Sequence, residues 1–177
     1  MLQRLKQNDF DSVYKIMEES FPIDEHRPYQ EQRELLEKPE YQIYIMSDEA
    51  SHKVKGFLAT WQFDGVAFIE HFAVDSTYRN EGIGTAMLQE VQQVLKGIIC
   101  LEVELPDNEL ASRRIDFYKR NGFFFNEYSY MQPAISEGRN PIPLRIMTFG
   151  REVSETGFYE IRKLLYEKVY QCPVRDI

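Results

Sequence analysis

The chain predicts an α+β fold, a mostly antiparallel sheet with helices on its faces. Three observations predict it. Apolar, alternating stretches at residues 41–46, 54–63 and 66–74 follow one another across short turns, the pattern of an antiparallel meander. Ile83, Met87, Leu88, Val91, Val94 and Leu95 then recur at helical spacing before the next apolar stretch, residues 98–104. A helical crossover of that kind makes the strands on either side of it parallel neighbours, the one such pair expected. Finally, 177 residues with 43% apolar content suit a single well-buried domain.

The elements follow in order. Residues 2–5 can form a short first strand. Asn8 or Asp9 can cap a helix with Phe10, Val13, Ile16 and Met17 on one side. Residues 23–28 read as a polar loop. A second helix is expected over 29–38, with Leu35 and Leu36 inward and Pro39 as its stop. After the meander, the crossover helix and the buried strand 98–104, residues 108–120 read as a helix that stops at Gly122. A continuous strand is expected over 123–131, a proline-rich loop over 132–143 and a strand over 144–149. Ser154 can cap a last helix with Phe158, Ile161, Leu164 and Leu165 inward. The expected core is about 2–149, with 150–177 as a C-terminal helical extension.

Composition excludes several functions. The net charge is −8 and no Lys/Arg-rich patch is visible, so nucleic acid is not expected as a partner. No apolar run approaches the ~20 residues that span a bilayer. The first residues lack the pattern of a signal peptide. Cys100 and Cys172 stand in unlike contexts, which suggests neither a disulfide framework nor a metal site, and a reducing cytoplasm is the default setting.

The most informative segment is Val74-Asp75-Ser76-Thr77-Tyr78-Arg79-Asn80-Glu81-Gly82-Ile83-Gly84-Thr85. An apolar strand enters it and an amphipathic helix leaves it. The first N–H groups of that helix have no partner within it, and the positive end of the helix dipole lies behind them. Glycines there let a phosphate approach the backbone. The segment predicts a ligand carrying a diphosphate.

Arg79-Asn80-Glu81-Gly82-Ile83-Gly84 also fits the Arg/Gln-x-x-Gly-x-Gly/Ala pattern of the GNAT superfamily of acyl-CoA-dependent N-acyltransferases. Phe117-Tyr118-Lys119-Arg120-Asn121-Gly122-Phe123 resembles the Tyr-x-x-x-Gly-Phe signature of that family's fourth helix. Both motifs sit on the expected elements, and element order agrees from about residue 2 to 149. One departure is visible: where many members carry an Asn seven residues before the Tyr, this chain has Ala111, and Asn108 stands three residues earlier.

The resemblance implies a GNAT-like sheet with one splayed parallel strand pair, and acetyl-CoA as co-substrate with no metal. It implies that N–H groups of Arg79, Asn80, Glu81, Gly82, Ile83, Gly84 and Thr85 hold the pyrophosphate. Pantetheine would pair with the backbone of Phe72, Ala73 and Val74, and Asn108 and Arg114 (or Arg113 or Arg120) would reach other parts of the cofactor. The reaction is attack of an amine on the thioester. An alkyl ammonium with a pKa near ~10.4 must first lose a proton. Glu70 is the first candidate base and Glu102 the second, while Tyr118 matches the position that protonates the leaving thiolate. His71 is expected on the face opposite Glu70, as a structural histidine, and Cys100 as a buried apolar cysteine. The acceptor pocket is expected from residues 21–29 and about 125–145, with Phe21, Glu25, Tyr29 and Tyr130 as contacts. The acceptor is a small-molecule amine or a peptide amino group, and the last helix is free to pack on its own sheet or to form a homodimer contact. The alternative is a CoA-binding sensor that kept the fold without catalysis.

Overall fold

The computed structural model describes residues 1–172. Residues 173–177, the end of the expected C-terminal extension, lie outside the described residues. The chain divides into two compact units, Met1–Ile99 and Cys100–Ile177.

The first unit is the predicted meander. β1 (Gln3–Arg4), β2 (Tyr41–Ser47), β3 (Val54–Gln62) and β4 (Val66–Val74) pair antiparallel in sequence order. α1 (Phe10–Ser20) buries Phe10, Val13, Tyr14, Ile16 and Met17, and α3 (Ile83–Val94) buries Ile83, Met87, Leu88 and Val91. Both helices pack on β3 and β4. Each large apolar side chain buried this way contributes roughly 1.5–3 kcal/mol. Val94, expected inward, is 47% exposed, because Leu95 at the helix end covers the core instead. The approach of α3 depends on Gly56: a Cβ there would stand 2.8 Å from the Ala73 carbonyl oxygen and 2.9 Å from Met87 Sδ.

Two details depart from simple periodicity. α2 is α-helical only over Tyr29–Glu34 and tightens to a 3₁₀ turn at Leu35–Glu37. Lys38 is extended because a residue before proline is driven out of the helical region. In β4 the register steps from Ala59↔His71 to Thr60↔Ile69, so Glu70 is the extra residue of a β-bulge.

The second unit is antiparallel too. β5 (Ile98–Glu104), most of whose residues belong to this unit, pairs with β8 (Ile142–Phe149). The expected continuous strand 123–131 is broken into β6 (Phe123–Phe125) and β7 (Tyr130–Gln132), which pair with opposite ends of β8. Asn126 is the reason. Its buried amide donates to the Ile146 carbonyl and to Thr148 Oγ1, both at 3.0 Å, and its carbonyl accepts the Val153 N–H, also at 3.0 Å. With the Asn126 N–H also on the Ile146 carbonyl at 3.1 Å, these bonds hold the chain at Asn126 where the β6 ladder ends. α4 (Glu109–Arg120) ends before Gly122, at φ +85°, where a Cβ would stand 2.8 Å from the Phe149 ring. α5 (Glu155–Leu164) starts with Ser154 accepting the Gly157 N–H, then widens to a π-turn at Leu165–Val169. Phe158, Ile161 and Leu165 are buried as expected, and Leu164 is half-buried.

Candidate active site

The glycine turn has the geometry of an anion cradle. Asn80 and Gly82 both adopt left-handed backbone, with φ of +67° and +75°. Gly82 is the N-cap of α3 and offers no side chain to the helix. The first intrahelical bond is Ala86 N–H to the Gly82 carbonyl, 3.1 Å, so the N–H groups ahead of it lack helical partners. A Cβ on Gly82 would meet nothing within 4 Å, so the approach to the backbone is open. The entry is braced by Asp75, whose carboxylate accepts the Thr77 N–H (2.8 Å), and by Arg79 Nε, which donates to the Val74 carbonyl (3.2 Å). These features fit a diphosphate. Phe72 and Val74 are half-buried on β4, and Ala73 is buried.

In the same unit Glu70 is an ion-pair partner. Arg27 Nη1 donates to Glu70 Oε1 at 2.8 Å, with the side chains 6% and 2% exposed. Burial alone would push the Glu70 carboxyl up. Arg27, with His71 beside it, outweighs that and holds it at about 2. Such a carboxylate is ionised at neutral pH but too weakly basic to be an efficient proton acceptor. The expectation that His71 points away from Glu70 is corrected by the bulge, which brings His71 Nδ1 to 3.6 Å from Glu70 Oε2. His71 Nε2 donates to the Glu25 carbonyl at 2.7 Å, in keeping with a structural histidine.

The loop after α1 is thereby tied down. Glu25 meets β4 through its backbone, and the Phe21 ring stands edge-on to His71 at 5.0 Å. Tyr14 donates to the Arg27 carbonyl at 3.0 Å. Tyr29 donates to Asp11 at 2.5 Å and packs against Phe10 and Tyr14.

The second unit holds the remaining candidates. Tyr118 is 7% exposed and packs edge-on to Phe123 at 5.7 Å. Burial pushes its hydroxyl up to about 12, slightly offset by Arg114, so it remains a proton donor at neutral pH. Glu102 is brought together with Tyr130, whose hydroxyl donates to Oε1, and with Tyr170, whose hydroxyl lies 2.9 and 2.7 Å from its two oxygens. Asn108 uses its carbonyl to cap α4 at the Ala111 N–H, 2.9 Å. Arg114 donates to Glu104 at 2.9 Å in a half-exposed ion pair. Cys100 is fully buried and burial drives its thiol far up, in keeping with a buried apolar cysteine.

The family model described as the acetyltransferase (GNAT) family matches residues 10–123. The chain belongs to this family. A GNAT-family protein from Bacteroides thetaiotaomicron is similar over 98% of this chain and 99% of its own, with 33% identity and a TM-score of 0.88. The predicted GNAT-like fold is therefore the observed one. The uncharacterised Bacillus subtilis (strain 168) protein YdhI is 30% identical over 110 residues, which cover 62% of this chain and 64% of that protein. The aminoglycoside 6′-N-acetyltransferase complexed with coenzyme A has the same fold, with 16% identity and a TM-score of 0.61 over 88% of this chain and 99% of its own.

Within this GNAT chain, sequence reasoning missed Arg27 and Tyr170. Arg27 stands in a segment that reads as polar loop, and nothing local marks it as buried. Tyr170 carries a weak signal: it follows Tyr166 by four residues beside the apolar positions of the last helix.

Proposed function

We propose that this GNAT protein is an N-acetyltransferase that moves an acetyl group from acetyl-CoA to a primary amine of a small molecule or peptide, by direct attack in a ternary complex. The observation that carries the reading is the uncapped start of α3, with Asn80 and Gly82 in left-handed backbone. The turn from Arg79 to Thr85 receives the diphosphate, and the backbone of Phe72, Ala73 and Val74 receives the pantetheine. A reducing, cytoplasmic setting goes with this reading.

Glu102 is the base in this proposal. Glu70, ion-paired with Arg27, anchors the 21–28 loop in this reading. The ammonium gives one proton to Glu102, and the freed amine nitrogen bonds to the thioester carbonyl carbon. The C–S bond breaks and the thiolate takes the Tyr118 proton. The second proton of the new amide nitrogen returns to Tyr118 through water. The net products are the N-acetyl amine, CoA and one proton. Aromatic and acidic residues at Phe21, Glu25, Tyr29 and Tyr130 suit a cationic acceptor.

The test is thiol release from acetyl-CoA against spermidine, an amino sugar and an alanine-ended peptide. Amine-dependent release supports the reading, and release that ignores amine in every case opposes it.

A further inference from the structure

We infer that the C-terminal segment supplies a positioning residue for the reaction: Tyr170, set in place by the π-turn at Leu165–Val169, orients the Glu102 carboxylate. The inference rests on the proposed role of Glu102 as base.

The hydroxyl of Tyr170 bridges both oxygens of Glu102, at 2.9 and 2.7 Å, and the residue is 9% exposed. A phenol shared between two carboxylate oxygens fixes where the group points, and a further donor on one oxygen alone fixes its plane. Tyr130 on β7 supplies a second donor, to Oε1. The π-turn is what aims Tyr170. The Tyr170 N–H reaches the Leu165 carbonyl at 3.0 Å, five residues back, and the Cys172 N–H reaches the Tyr166 carbonyl at 2.9 Å. Widening the helix there turns Leu165, Tyr166, Val169 and Tyr170 all inward. π-Turns are rare and recur at functional sites.

The same turn steadies the other donor. Tyr166 donates to the Met131 carbonyl at 2.5 Å, which ties the C-terminal segment to β7 beside Tyr130. Titratable groups that face Glu102 among the described residues include Tyr130 on β7, Tyr166 and Tyr170 on the C-terminal segment, and Cys100 on its own strand. Burial holds the Tyr130 and Tyr166 hydroxyls and the Cys100 thiol in their neutral forms, so these groups meet the carboxylate as dipoles. Such an arrangement orients the carboxylate.

The experiment compares wild type, Tyr170→Phe, Tyr130→Phe and Glu102→Gln in the full chain. With an amine that is turned over, Tyr170→Phe is expected to lower kcat about tenfold, the worth of one hydrogen bond to a charged group. KM for acetyl-CoA should stay within about twofold, and the acidic limb of the pH–rate profile should move to higher pH, because the ionised carboxylate has lost a donor. Without turnover, infrared carboxylate titration reads the same point. The band absent from Glu102→Gln should titrate at higher pH in Tyr170→Phe than in wild type. An unmoved limb and an unmoved band, with Glu102→Gln inactive, would overturn the inference and leave the base assignment intact. Full activity in Glu102→Gln would instead remove the base assignment itself.

Discussion

Replacing Arg27 by methionine is expected to destabilise the protein by about 3–5 kcal/mol, because it strands the Glu70 carboxylate in the interior. The two side chains are 6% and 2% exposed and meet at 2.8 Å. A second route gives a similar size. A carboxyl held at about 2 instead of the ordinary 4.5 corresponds to about 3 kcal/mol in favour of the ionised folded form. For a chain of this length each kcal/mol lowers the melting temperature by about 2–4 °C, so the expected drop is roughly 6–20 °C. The double variant Arg27→Met/Glu70→Gln removes both charges and should lose less than the two single variants together, by more than about 1 kcal/mol. pH supplies the sign. The folded carboxyl is depressed, so its stabilisation is present above the ordinary 4.5 and is lost as pH falls towards about 2. The gap between wild type and Glu70→Gln should shrink over that window. Thermal and urea unfolding measure all of this. Additive single variants and a gap independent of pH would show that the ion pair does not stabilise the fold.

Gly82→Ala should reduce stability by only about 1–2 kcal/mol, the strain of a left-handed alanine, yet weaken CoA binding about tenfold or more by titration calorimetry, since its methyl stands where the diphosphate approaches. Gly97→Ala shares the positive φ, but its Cβ would lie 2.2 Å from the Gly65 carbonyl oxygen, so it should unfold at markedly lower urea than Gly82→Ala. Tyr118→Phe should lower kcat at least about tenfold with little change in CoA affinity, read by thiol release. Asn126→Ala should cost about 1–3 kcal/mol by leaving the Val153 N–H without its partner, read by urea unfolding.

The meander, the crossover helix and the glycine turn were legible because each is a local pattern: period two, period near 3.6, and glycines between them. What was not legible depends on contacts distant in sequence. The Glu70 bulge is set by a register step against β3, and the side-chain alternation that separates Glu70 from His71 on paper does not survive it. The break after Phe125 depends on partners of Asn126 some 20 to 27 residues away. Arg27 and Glu70 are separated by 43 residues, and Glu102 and Tyr170 by 68, so no local window could choose between the two carboxylates as base. The helix that carries Tyr118 was the easier case, because its apolar spacing and the Gly122 stop are adjacent.

The central claim is that acetyl leaves CoA for an amine nitrogen. It is tested most directly by incubating the protein with acetyl-labelled acetyl-CoA and the amine panel, then following the label. The account predicts label on the amine product, at a rate that falls in Tyr118→Phe. Tight acetyl-CoA binding with the label still on CoA for every amine would contradict it and favour a sensor built on the same fold.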